Sequence, residues 1–290
     1  MIKKRLVILA AGQFGRAAAG LLSTDHYELL AFADNNSALW GSFYPHPLGS
    51  RIPILSVAEA LALQPDTVLT GVIDPVRTRE LIDQLGLLGY SGEILTLSSD
   101  YEHLDIRSAT LLRLAARLTG QKIPGACAEL GVYKGDLAWK INALFPDRKL
   151  YLFDTFTGFD GRDVATEEAL QCSRAREGDF QDTSISFVKS RLPYPDRAIF
   201  CPGFFPGTAA SVPEETYAFV SLDADLYAPI LAGLEYFYPR LAKGGMILLH
   251  DYLNERFRGA KRAVEEYEKR NGAMTLVPLC DLHGSAVIVK

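Results

Sequence analysis

Between Ala128 and Asp154 the chain spells out a strand, a glycine turn, a helix and a second strand with a carboxylate at its tip, an order of elements that belongs to a parallel α/β sheet. The turn, Glu129-Leu-Gly131-Val-Tyr-Lys-Gly135, has the form E-x-G-x-x-x-G. Its first glycine admits a tight turn after a buried strand, and its second lets the backbone pass close to a ligand. Leu150 to Phe153 is the next apolar strand, and Asp154 follows about 20 residues beyond the glycines, where a carboxylate can accept both hydroxyls of a ribose. The stretch therefore reads as a nucleoside site in the second half of the chain. A dinucleotide needs an open helix N-terminus for its pyrophosphate. Glu129 beside the turn repels that group and suits a cationic sulfonium or amino group, which favours S-adenosylmethionine. A ligand-free strand-to-helix connection accounts for the glycines alone equally well.

The alternation of strands and helices runs through the whole chain. Residues 6–10, 28–33, 54–55, 67–73 and 93–97 read as strands separated by helices, so residues 1–100 form a small parallel α/β domain with its own abbreviated turn, Gly12-Gln-Phe-Gly15, and an acidic strand end at Asp34. Ser98-Ser99-Asp100 reads as a polar break, and 101–124 as a connecting helix and linker ended by Gly120 and Pro124. From 125 to 290 the alternation restarts, with strands at 127–130, 149–153, 198–201, 217–222 and 245–249, an irregular segment over 155–179, and a closing antiparallel pair near 274–279 and 285–289.

Composition narrows the partners. The chain has 290 residues and a net charge of -5, with basic residues scattered among acids, so a nucleic-acid partner is not expected. Cys127, Cys172, Cys201 and Cys280 lie far apart without metal spacing and read as reduced thiols of a cytoplasmic protein. The apolar run after Lys3-Lys4-Arg5 is interrupted at Gly12-Gln13, unlike a secretory leader, and no stretch reaches the ~20 apolar residues of a membrane span. Apolar helices in both halves permit a homodimer.

Two further strands end in acids: Phe219 to Leu222 runs into Asp223-Ala224-Asp225, and Met246 to Leu249 into His250-Asp251. In an open α/β sheet these tips converge with Gly131 and Asp154 on one mouth. Asp223 and Asp251 supply hard oxygen ligands suited to magnesium, with His250 or Asp225 beside them, and a bound divalent ion would ease deprotonation of a hydroxyl. As loop acids they would instead cap helices, and His250 would pack at a strand end. Phe204, in Gly203-Phe-Phe-Pro-Gly207, is placed to flank an adenine ring or to fill core.

Together these residues resemble the macrocin and mycinamicin O-methyltransferase family, which methylates sugar hydroxyls of macrolides with S-adenosylmethionine and magnesium. The resemblance lies in Glu129 to Gly135, Phe153-Asp-Thr-Phe-Thr-Gly-Phe159, Gly178-Asp-Phe180 with Thr183-Ser184, Leu222-Asp-Ala-Asp-Leu-Tyr227, Tyr238 to Gly245, and His250-Asp-Tyr252. It implies two Rossmann-like domains, the C-terminal one a class I methyltransferase sheet. It also implies that Glu129, Gly131 and Asp154 hold the cofactor, with Gly135, Thr155, Phe156, Asp179, Phe180 and Phe204 around it. Asp223 and Asp251 would bind magnesium, Asp223 would also take the hydroxyl proton, and His250 would be third ligand or base. Similar enzymes carry Asp-Asp-Tyr where this chain has His250-Asp251-Tyr252, which implies a different metal, a weaker one, or direct base catalysis. The acceptor is expected to be a sugar or glycoside, shaped by the loop from Gly161 to Gly178 and by the first domain.

The N-terminal half separately resembles the small nucleotide-sugar-binding domain ahead of some sugar acyltransferases, through Val7 to Arg16, Phe32-Ala-Asp-Asn35 and Leu39-Trp-Gly41. A nucleotide-sugar would then meet Gly12 and Asp34. Two other functions compete: a nicotinamide-dependent oxidoreductase using Gly12, Gly15 and Asp34, and a non-catalytic nucleotide-sugar-binding protein.

Overall fold

A computed structural model describes residues 3–24, 26–45, 51–103 and 105–290, without the side chains of 101–103. The chain divides into two compact units, Met1–Asp105 and Ile106–Lys290.

In the first unit the strands are β1 (Lys4–Leu9), β2 (Tyr27–Ala33), β3 (Phe43–Pro45), β4 (Arg51–Leu55), β5 (Thr67–Thr70) and β6 (Glu93–Thr96). The helices are α1 (Gln13–Leu21), α2 (Val57–Ala62), α3 (Pro75–Leu87) and α4 (Leu97–His103). The sheet order is β3-β4-β2-β1-β5-β6, parallel except for β3, which runs against β4. Val7, Leu9, Ala31, Ala33, Val57, Val68 and Leu85 pack in one core. Two features differ from the sequence reading. The strand β3 is too short for its apolar period to show. The polar break at Ser98 to Asp100 is a helix, with Leu97 buried at its start and Asp100 in its first turn, where a carboxylate favours the helix dipole.

The second unit comprises α5 (Ile106–Gly120), β7 (Ala126–Leu130), α6 (Ala138–Leu144), β8 (Leu150–Asp154), α7 (Gly161–Leu170), α8 (Ile185–Arg191), β9 (Ala198–Pro202), β10 (Tyr217–Leu222), α9 (Tyr227–Arg240), β11 (Leu241–Leu249), α10 (Gly259–Asn271), β12 (Thr275–Pro278) and β13 (Ala286–Val289). Its sheet order is β12-β13-β11-β10-β7-β8-β9, with β13 antiparallel to both neighbours. Every residue of β7 and β10 is buried, as befits parallel strands covered on both faces. One face packs on Ile230, Leu234 and Phe237 of α9 and Val264 of α10. The other packs on Leu111 and Leu118 of α5, Ile141 of α6 and Val188 of α8. Each fully buried large apolar side chain, such as Phe153, Phe219 or Phe237, contributes about 1.5–3 kcal/mol.

The segment read as irregular over 155–179 contains α7. Asp160 caps it, its side chain accepting from the Arg162 amide. Its buried face carries the acids Asp163 and Glu167, so no apolar stripe betrays it. All four cysteines are free thiols, three of them buried and Cys280 exposed. Among the described residues no helix is long and apolar enough to cross a membrane.

Candidate active site

Strand register brings the predicted residues to one edge. Leu130 lies opposite Phe153 on one side and Leu222 on the other, and Leu222 lies opposite Leu249. The next residues along each chain, Gly131, Asp154, Asp223 and His250, therefore emerge side by side at the carboxyl ends of four parallel strands. The crevice they border is the switch point, where the chain leaves β7 toward β8 on one side and later returns to β10 on the other, the usual ligand position in such a sheet.

The glycines are required first by the protein itself. Gly131 has φ +87°, and a Cβ there would overlap the carbonyl oxygen of Asp223, so β7 and β10 could not end so close together. Gly135 has φ +75°, and its missing side chain leaves room for Val188 of α8. Asp154 clamps the same turn: Oδ2 accepts from the amides of Val132 (2.7 Å) and Tyr133 (2.9 Å), and Oδ1 from that of Phe156 (2.7 Å). A carboxylate has roughly four acceptor positions, so about one remains for a ligand hydroxyl.

Around this turn the remaining predicted residues form a rim. Thr155 donates to the carbonyl of Gly158 at 2.6 Å, and Phe156 adopts φ 56° against Phe200. Asp179 accepts from the Arg176 amide at 3.0 Å, while its carbonyl accepts from Phe159. Phe180, 37% exposed, stands edge-on to Tyr133 and Phe159, each 5.2 Å away. Lys134 and the Tyr133 hydroxyl both bind Asp182, and Thr183 donates to the Tyr133 carbonyl, tying this segment to the glycine turn. The Gly203 amide donates to the Asp154 carbonyl, which sets Phe204 beside the same strand end. The Arg162 guanidinium lies 3.6 Å from the Phe204 ring centre, held there by Asp160.

Glu129 is 1% exposed, and its Oε2 has no hydrogen-bond partner among the described residues. Burial raises its pKa well above the carboxylate range, although Arg107 opposes the shift. A buried carboxyl with an idle oxygen beside the glycine turn matches the amino group of an amino-acid moiety, which would give that oxygen a donor.

The acidic end of the crevice is held by cations. Arg107 of α5 places a guanidinium nitrogen 2.8 Å from Asp223 Oδ2. His250 Nδ1 lies 2.8 Å from Asp223 Oδ1 and 3.3 Å from Asp251 Oδ2, between the two and not aligned for a hydrogen bond to either. Asn254 donates to Asp251 Oδ1 at 2.6 Å, and His283 Nδ1 is 3.8 Å from that oxygen. Burial disfavours charge on Asp223, yet Arg107 and His250 overcome it and hold its pKa at about 2. Burial likewise opposes charge on Asp251, which His250 and His283 hold below the usual range. Asp225 goes the other way: burial and the neighbouring charge of Asp223 keep it protonated well above the usual range. His250 keeps its proton up to about 10, because the pull of Asp223 outweighs its burial.

Asp223, Asp225 and Asp251 offer oxygens within 4.8 Å of one another, and His250, Asp251 and His283 do the same with mixed donors. The donor types suit a divalent ion, and Arg107 and His250 lie at ion-pair distance from the same carboxylates. Sequence reasoning missed Arg107, which it placed in a linker, as well as His283 and Asn254. No spacing in the sequence links these residues to the strand tips they serve.

The Macrocin-O-methyltransferase (TylF) family pattern matches residues 105–288. The Mycinamicin III 3''-O-methyltransferase of Micromonospora griseorubida is 26% identical over 174 residues, 56% of this chain and 67% of that protein. The 8-demethyl-8-(2,3-dimethoxy-alpha-L-rhamnosyl)-tetracenomycin-C 4'-O-methyltransferase of Streptomyces olivaceus is 26% identical over 176 residues, 57% of this chain and 65% of that protein. The chain thus spans about two thirds of the length of these relatives. The solved structure of the O-methyltransferase NovP shares the fold, with a TM-score of 0.51 at 23% identity over 63% of this chain and 79% of that one.

Proposed function

Because the chain belongs to the macrocin-O-methyltransferase (TylF) family, we propose that its second unit transfers the methyl group of S-adenosylmethionine to a hydroxyl of a sugar or glycoside. Residues 105–288 are an O-methyltransferase domain by family. The named relatives act on glycosylated natural products, which supports the acceptor class, and the order of the second sheet supports its reading as a class I methyltransferase fold. The first unit is read as a second Rossmann-like domain. Its Asp34 accepts from the Ala11 and Asn36 amides, clamping a glycine turn as Asp154 does, which supports a nucleotide-sugar there. A homodimer and a cytoplasmic setting stay in this reading as expectations from the sequence.

The observation that carries the cofactor assignment is Glu129, buried beside Gly131 with an oxygen lacking a donor. Glu129 would hold the amino group of the cofactor, Asp154 one ribose hydroxyl, and Phe180 and Phe204 the rim around the base. When bound, S-adenosylmethionine supplies an electrophilic methyl group displaced in line by an oxygen nucleophile. Catalysis by the protein is then positioning of the hydroxyl and reception of its proton. Asp223 is ionised and can receive it. The carboxylates of Asp223 and Asp251 raise the pKa of His250, which favours a role in orienting Asp223 over one as the base. Asp223 and Asp251 are the carboxylates a magnesium ion would use, and Arg107 and His250 already stand against them.

Calorimetric titration with S-adenosylhomocysteine tests the reading. Wild type should bind at a one-to-one ratio, and Glu129→Gln and Asp154→Asn should each bind more weakly. No binding by wild type would remove the methyltransferase assignment.

A further inference from the structure

Resting on the methyltransferase reading for the location of the site, we infer that the Arg107 guanidinium and His250 stand where a catalytic metal would approach Asp223 and Asp251, so that this site holds its acids with resident side chains and works without a divalent ion.

What decides is position and charge. A magnesium ion demands near-octahedral geometry and binds through carboxylate oxygens directed at it. Asp223 has one nitrogen cation or imidazole nitrogen 2.8 Å from each oxygen, Arg107 on Oδ2 and His250 on Oδ1. Asp251 is engaged on both sides as well, by Asn254 on Oδ1 and by His250 at 3.3 Å from Oδ2. An incoming ion would have to displace a guanidinium that cannot shed its charge and is only 17% exposed. The displaced cation would stay beside the metal, because α5 packs its Leu111, Ala115 and Leu118 into the core on which the sheet is built.

The place of His250 points the same way: its ring puts a nitrogen between Asp223 and Asp251. Arg107 is then a positioning residue: it keeps Asp223 ionised and fixes the direction of its oxygens, the service a metal would perform. His250 braces the same carboxylate against Asp251.

The test is direct. Full-length protein is stripped with chelator, desalted, and titrated with manganese(II) while the free-ion signal is followed by electron paramagnetic resonance, with and without S-adenosylhomocysteine. Expected are no manganese uptake, unchanged S-adenosylhomocysteine affinity and no loss of methyl transfer on chelation. His250→Asp and Arg107→Met, each removing a nitrogen from the approach to Asp223, should gain uptake of one equivalent. One equivalent bound by wild type and lost in Asp251→Asn overturns the inference, as does continued silence in both gain-of-binding variants when circular dichroism shows them folded. Because the wild-type titration needs no variant, a failure of either substitution to fold leaves the test decisive. Failure of S-adenosylhomocysteine itself to bind would strike the methyltransferase reading, whereas manganese uptake with intact binding strikes only this one.

Discussion

At the scale of single residues, the site separates two kinds of acid by their surroundings. Burial pushes Glu129 toward its neutral form, while Arg107 and His250 favour the charged form of Asp223. A cationic amino group placed on Glu129 favours its ionised form, so the cofactor product should bind with release of a proton and more tightly as pH rises toward the free protein's Glu129 pKa. Titrations in two buffers of different ionisation enthalpy measure that release, and Glu129→Gln should abolish it. Proton-neutral binding in wild type would argue against the contact. Asp223→Asn should lower kcat by about 10²–10⁴, the usual worth of a general base, with S-adenosylhomocysteine binding retained. Wild-type turnover by that variant would remove Asp223 from the chemistry.

Among the elements, α7 shows how burial of polar groups positions a helix. Glu167 Oε1 accepts from the Tyr227 amide at 2.5 Å, so a side chain of α7 caps α9, whose own preceding residue, Leu226, offers no cap. Asp163 on the same helix has its pKa pushed up to about 6, first by burial and then by the charge of Asp160. The sign follows: a carboxyl raised in the folded state costs nothing below its unfolded value near 4, and its contribution is lost as pH rises through 6. Asp163→Asn should therefore raise the melting temperature at pH 7 and leave it nearly unchanged at pH 4. Thermal melts across that range check it; an equal shift at both ends would mean that Asp163 acts through something other than its charge.

On the scale of the whole molecule, every residue assigned to the methyltransferase site lies in the second unit, and the family match begins at residue 105. A fragment of residues 106–290 should then bind S-adenosylhomocysteine with the affinity of the full chain. Size-exclusion chromatography followed by calorimetry would show this, and a folded fragment that fails to bind would make the first unit part of the cofactor site. The acceptor is a separate matter, since a nucleotide-sugar bound by the first unit would matter only to the full chain.

Sequence alone determined what depends on local pattern. Apolar runs marked β7, β8, β10 and β11, closed by a glycine turn after β7 and by polar residues at the ends of the other three, because strands covered on both faces are largely apolar and their tips are where polarity resumes. The E-x-G-x-x-x-G turn and Asp154 were legible for the same reason, as were Asp223, His250 and Asp251 as one constellation. Tertiary structure decided what depends on groups distant in the chain. Gly131 is glycine because β10 ends against it, and Gly135 because Val188 fills its space. Helix α7 escaped notice because its buried face is acidic, and Arg107 because it reaches Asp223 from a helix more than a hundred residues earlier in the chain. Whether a set of carboxylates faces a metal or a resident cation is set by which charges the fold brings within about 3–4 Å, and sequence spacing carries no record of that distance.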